Sequence, residues 1–236
     1  MSESIPFGQG PDGRILTASE VRRGSAGQCR CAQCEQRLIA IRRPLRRPYF
    51  LHEGGKSHCP GARATAVHRA AVQLLGSLDT LHVPVLDWTF HKRFPDGTSF
   101  AWRKTLLVAG EYALRLLTTE TFNLPGEAGR IIQPNATAVI GGVFCCIAIV
   151  VTHRMAEDTA SRMQELDWPA LEIKVPRAVD INDWGVLRPL VQFAAPRRWL
   201  AVAPDERFLA DAESEWLAQW SQRKSGRQPA PSTKGD

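Results

Sequence analysis

The sequence predicts a protein of mixed α+β or α/β class: a β-sheet flanked by helices, preceded by a small N-terminal head too poor in apolar residues to fold unaided. Three observations predict it. The first is the cluster Cys31-x2-Cys34 … His52 … Cys59, in which two thiols three positions apart are followed by an imidazole and a further thiol. This donor set suits a tetrahedral Zn²⁺, and closed Cys3His sites staple small modules rather than perform chemistry, so the metal is expected to be structural. Cys29 and His58 are close enough to compete as ligands. The second is helical spacing of Ala66, Val67, Ala70, Ala71, Leu74, Leu75 and Leu78. The third is a series of short β-prone runs joined by turn residues, centred on Val143–Val151, which is apolar on both faces.

A chain of 236 residues has room for one large domain, or a medium one with a small appendage. The expected division is a zinc-binding head over 1–61, an α/β domain over 62–222 and a disordered basic tail over 223–236. The head is rich in Gly, Arg and Pro, and its core would be too slight without an ion. No run of eighteen apolar residues exists, so no membrane span is expected. The N-terminus lacks the basic-then-apolar design of a secretory signal, and the six cysteines do not resemble a disulfide framework. The expected compartment is the cytoplasm.

After the helix at 62–78, the run 81–90 alternates loosely and ends before Pro95-Asp96-Gly97, which is turn chemistry. Residues 104–109 and 112–119 read as short strands around Gly110. Residues 136–140 and 143–151 flank Gly141-Gly142, a two-residue hairpin signal. A helix is expected over 155–166, a strand over 170–175, a helix–strand pair over 183–203, and a last helix marked by Phe208, Leu209, Ala212, Trp216 and Trp220. The seven tryptophans read as core and interface anchors, and Cys145 and Cys146 as small core residues.

Charge is unevenly placed. Between Glu20 and Phe50 there are eight arginines (22, 23, 30, 37, 42, 43, 46, 47) against Glu20 and Glu35, a local balance equal to the +6 of the whole chain. Such a patch attracts polyanions by counterion release, or is simply a solvated basic face. On the first reading Arg42, Arg43, Arg46 and Arg47 contact the phosphates of DNA, in a sequence-tolerant and salt-sensitive way.

The order of the motifs CRCAQC (29–34), YFLH (49–52), TAVHRAA (65–71), QPNATAVIGG (133–142), CCIAIVVTH (145–153) and PALEI (169–173) resembles the competence protein CoiA-like family. The resemblance covers about residues 28 to 175. It implies a zinc-knuckle-like module followed by a restriction-endonuclease-like domain of the PD-(D/E)xK class. It also implies a nuclease in which an aspartate and a glutamate on adjacent strands hold Mg²⁺, which polarises the scissile phosphate and generates hydroxide.

The chain departs from that pattern where it matters most. Asn135 stands where the family pattern places Asp, and Ala148 where it places Glu. Ala64 and Val72 stand where the helix often carries Glu and Lys. A Mg²⁺ site stripped of both anions binds metal poorly, so Mg²⁺ is expected only in an active form, and hydrolysis is expected to be weak or absent. Natural divergence and deliberate inactivation both account for this, and the loss at four positions favours divergence. A shifted site could use Glu172 and Lys174, which alternation places on one face, together with Asn135 and Glu120 or Glu127. A solvent-facing charge pair is the plainer reading of Glu172 and Lys174. His68 reads either as a structural histidine or, through the family motif, as facing phosphate; His153 has similar standing.

The expected function is therefore that of a DNA-binding, nuclease-like protein whose metal-site acids are replaced. The alternative is a non-catalytic interaction subunit that docks into a DNA-processing or defence assembly, motivated by the apolar helix that carries Trp216 and Trp220; the partners expected besides DNA are a protein or a second copy of the chain.

Overall fold

The computed structural model describes residues 4–24, 28–55, 59–119, 124–125, 131–132, 134–151, 168–176, 180–201 and 204–226. In the head, four short strands form. β1 (Phe7–Gln9) pairs with β2 (Ile15–Thr17), and β3 (Leu38–Ile41) with β4 (Tyr49–His52), both antiparallel. Single bridges between Ile5 and Phe50, Gln9 and Arg30, and Gly24 and Ala40 stitch the two hairpins together. Ile5, Phe7, Leu38 and Phe50 are fully enclosed between them.

Helix α1 (Ala62–Leu75) buries Ala62, Ala66, Val67, Ala70, Ala71, Leu74 and Leu75, a face of mainly small residues that lets β1, β2 and the main sheet approach it closely. Its Gln73 carboxamide accepts from Ile15 N at 2.7 Å and donates to Ile15 O at 3.0 Å, satisfying that edge of β2 as a strand neighbour would. The helix stops at Leu75, short of the expected 78, because the Gly76, Ser77 and Leu78 amides turn back onto the 73–75 carbonyls.

The expected strand over 81–90 is two strands, β5 (Thr80–Val83) and β6 (Leu86–Arg93), interrupted at Pro84, which has no amide to continue a ladder. β6 forms a hairpin with β7 (Ser99–Leu107), closed by a turn in which Asp96 Oδ1 accepts from Thr98 N at 2.9 Å. β8 (Gly110–Thr118) follows, then the two-residue pair β9 (Leu124–Pro125) and β10 (Ile131–Ile132). β11 (Ala136–Ile140) and β12 (Val143–Val150) flank Gly141 and Gly142 at φ +56° and +86°, the left-handed backbone a two-residue hairpin demands. β13 (Ala170–Lys174), α2 (Trp184–Pro189, continuing as a π-turn over Leu190–Ala194), β14 (Arg197–Ala201) and α3 (Glu206–Lys224) complete the chain. The helix expected over 155–166 lies outside the described residues. Helix α3 continues through Lys224, past the expected start of the tail at 223, and residues 227–236 lie outside the described ones.

Six strands make a mixed sheet in the order β14-β13-β12-β11-β8-β5, with β12 and β13 parallel and every other pair antiparallel. The all-apolar β12 lies inside the sheet, with Cys145, Cys146, Ile147, Ala148 and Ile149 buried. The sheet curls until its edge strands meet through side chains. Arg197 of β14 donates to His82 O in β5 at 2.7 Å and to Leu190, Gln192 and Ala195 carbonyls, while Trp199 Nε1 donates to Pro84 O at 3.0 Å. One buried apolar cluster runs from Ile5 in the head through α1 to Leu171 and Ile173 in the sheet. A separate aromatic cluster forms where α3 covers the β6–β7 hairpin: Trp216 and Trp220 stack on Phe94 with centroids at 5.6 and 6.0 Å, and Phe208 packs against Trp88. Among the described residues, no helix is long and apolar enough to cross a membrane.

Candidate functional site

The head brings together the four donors of the cysteine–histidine cluster. The ligand atoms of Cys31, Cys34, His52 and Cys59 all lie within 4.8 Å of one another, and Cys34 Sγ is 3.3 Å from His52 Nε2. Four thiol and imidazole donors around a zinc ion at its usual bond lengths stand roughly 3.8 Å apart, so the group fits a metal ion such as zinc. Local structure makes it. The chain folds back after Cys31, with Glu35 N donating to Cys31 O at 2.8 Å and Cys31 N to Gln36 O at 2.9 Å, and Glu35 takes a positive φ of 60°. Gln33 N points at Cys31 Sγ at 3.4 Å, the kind of amide–sulfur contact that steadies a thiolate. His52 enters from the end of β4, opposite Leu38, and Cys59 from the turn that starts α1.

Burial raises the Cys31 thiol above its ordinary range, and burial with the neighbouring thiols pushes Cys59 up to about 12, while burial lowers His52. A cation reverses this preference for uncharged sulfur. Cys29, the competing thiol, is buried in the head core and is not one of the four. His58 lies outside the described residues.

The hairpin that ends at His52 carries the arginine-rich loop at its other end, residues 42–48. The four arginines there differ in surroundings. Arg42 turns inward, and its guanidinium donates to Ala18 O at 3.0 Å, Ser19 O at 2.8 Å and Val21 O. Arg47 faces Asp183 at 3.8 Å, with both side chains half exposed. Arg43 and Arg46 are exposed. The Gly24–Ala40 bridge lays the exposed Arg22 and Arg23 beside the base of the loop, a juxtaposition that the run of arginines hinted at by charge alone.

On the sheet, Asn135, Ala148 and Glu172 come together. Asn135 N donates to Ile147 O at 3.0 Å and its Oδ1 accepts from Ile149 N at 2.6 Å, so the amide straddles Ala148 on the neighbouring strand. Ala148 is in register with Glu172 on β13, and Glu172 with Arg198 on β14. Glu172 is buried, its Oε1 accepting from Arg198 Nε at 2.9 Å. Burial holds the His68 imidazole of α1 below its ordinary range and the Arg69 charge adds to this, while contacts with the Asn135 side chain and the Ile149 backbone act the other way. Glu172 and Lys174 line one cleft of about 390 Å³ with Pro176, Pro196, Arg197 and Arg198. Sequence reasoning missed Arg198, whose role follows only from strand register. Ala64 and Val72 are half-buried on α1, and Glu120, Glu127 and His153 lie outside the described residues.

No family model, no curated protein and no solved structure matches this chain.

Proposed function

We propose that the chain is a DNA-binding protein built on a nuclease-like sheet, related in plan to CoiA-like proteins of the PD-(D/E)xK class, with a zinc-stapled head and with Asn135 and Ala148 in place of the metal-site acids. The observation that carries the reading is the row Asn135–Ala148–Glu172–Arg198, which runs from the residue leading into β11 across β12, β13 and β14. The family pattern places its two acids at the first two positions of that row. There the chain has an amide engaged with Ile149 N and a methyl group, while the one carboxylate of the row is paired with a guanidinium. Mg²⁺ demands several hard anionic oxygens in octahedral array, and these residues do not fit it. Arg198 already places positive charge where a cation would otherwise neutralise Glu172.

The basic head supports DNA as the ligand. The aromatic face of α3 is occupied by the β6–β7 hairpin, so Trp216 and Trp220 give the interaction-subunit reading little to stand on.

Fluorescence anisotropy on labelled duplex DNA over a range of salt concentrations tests the proposal. Expected is an affinity that falls linearly on a log–log plot against salt. Absence of any salt-dependent binding rejects it. The double variant Asn135→Asp/Ala148→Glu, assayed with Mg²⁺, tests the history of the sheet. Cleavage there marks an inactivated nuclease, and intact binding without cleavage marks a scaffold that has diverged beyond two residues.

A further inference from the structure

The tip of the arginine loop combines a fully exposed apolar side chain with left-handed backbone. Leu45 is 106% exposed and sits at φ +62°. Arg46 N donates to Arg43 O at 3.3 Å, closing a turn with Pro44 and Leu45 at its corners. A proline followed by a positive φ is the signature of a type II turn, whose third position belongs to Gly or Asn. A branched apolar side chain is strained there and, fully in water, gains no burial in return. Neither the local backbone nor the core of this protein asks for leucine at that position.

The surroundings say what the side chain meets. Arg43 and Arg46 flank it, Arg22 and Arg23 stand at the loop base, and among the described residues none of these four is in an ion pair. Pro44 and Pro48 stiffen the loop, and Arg42 anchors its base through three carbonyls. The hairpin is in turn fixed at its far end by the metal-ligating His52. A rigid projection with one apolar point amid guanidinium groups is complementary to a polyanion that has apolar surface between its charges. Nucleic acid offers that combination, with phosphates outside and base faces within. A membrane surface is recognised by a broad apolar face, which one leucine does not supply.

We infer that Leu45 is a wedge that enters between bases of duplex DNA while the flanking arginines hold the phosphates on either side. This inference rests on the DNA-binding reading above and specifies how the head engages its ligand.

The test uses the full chain and short DNA duplexes carrying 2-aminopurine, whose fluorescence rises when it leaves the base stack. Expected is a rise with the natural chain, lost in Leu45→Gly and Leu45→Asn, both of which suit the turn and keep the arginines. Anisotropy should show that both variants still bind. A rise that persists in both variants overturns the wedge and leaves DNA binding standing. No salt-dependent binding by the natural chain overturns both readings. Capture by anionic phospholipid vesicles that weakens in Leu45→Gly, without duplex binding, assigns the loop to a membrane and overturns the wedge. A lowered thermal midpoint in both variants gives Leu45 a structural role and also overturns it.

Discussion

The carboxylate of Glu172 meets the guanidinium of Arg198 at 2.9 Å, one partner almost enclosed at 5% exposure and the other half open at 53%. The asymmetry sets the cost of breaking the pair. Arg198→Met removes one partner of an anion in the sheet interior and is expected to destabilise the fold by about 1–3 kcal/mol. Glu172→Gln leaves a guanidinium that water can reach and should cost less, under about 1 kcal/mol. Urea unfolding of the two variants checks the order, and a costlier Glu172→Gln would contradict this account of the row.

The Cys31, Cys34, His52 and Cys59 cluster, which could hold a metal ion, makes a second expectation. Cys34→Ser, or a strong zinc chelator, should remove bound zinc as read by atomic emission. Amide exchange should then speed up around residues 29–53, where the four donors hold the hairpin ends, while β12 stays protected. Uniform protection after metal removal would show that the head stands without the ion.

His68 gives a pH dependence whose sign follows from its environment. Its folded value is lowered from an ordinary 6.5, so the folded chain binds fewer protons than the unfolded one. The stability contributed is therefore complete above 6.5 and is lost as pH falls through the lowered folded value. Asn135→Asp sets a negative charge beside the imidazole and should raise the folded value, lessening the loss on acidification. NMR titration of His68 in both chains checks this, and an unmoved or lower value in the variant contradicts the contact.

Neighbouring arginines should separate by role. Arg42→Ala strands three carbonyl acceptors and is expected to lower stability by about 1–2 kcal/mol. Arg43→Ala/Arg46→Ala should leave the thermal midpoint unchanged and reduce the salt slope of DNA binding by roughly 2, since each phosphate contact contributes about one. Equal thermal effects would erase the distinction.

The β11–β12 turn distinguishes its two glycines. A Cβ on Gly141 would meet Leu107 Cδ2 at 2.7 Å and Tyr112 Cδ1 at 2.8 Å, whereas one on Gly142 meets nothing within 4 Å. Gly141→Ala is expected to cost about 2–4 kcal/mol, from backbone strain and overpacking together. Gly142→Ala should cost about 1–2 kcal/mol, from strain alone. Thermal denaturation followed by circular dichroism measures both.

Much of this was legible in the chain because it is written locally. The apolar spacing of α1, the Gly141-Gly142 turn and the all-apolar β12 each report a neighbourhood a few residues wide. The four clustered donors were legible for a related reason: Cys31 and Cys34 share one turn, and the remaining two fall within the same short head. The head strands were missed because three or four residues are too few to display alternation. The break at Pro84 was smoothed over because the apolar run continues past it.

The sequence by itself determined the buried face of α1, the Gly141-Gly142 turn, the all-apolar β12 and the side chains that can bind a metal, since all depend on residue type and short-range spacing. The tertiary structure alone decided that Arg198 faces Glu172, that Arg42 turns inward while Arg43 does not, and that Trp216 and Trp220 close onto Phe94. Each of these depends on which residue register and packing set opposite another, and distant strands and helices carry no periodicity that encodes it.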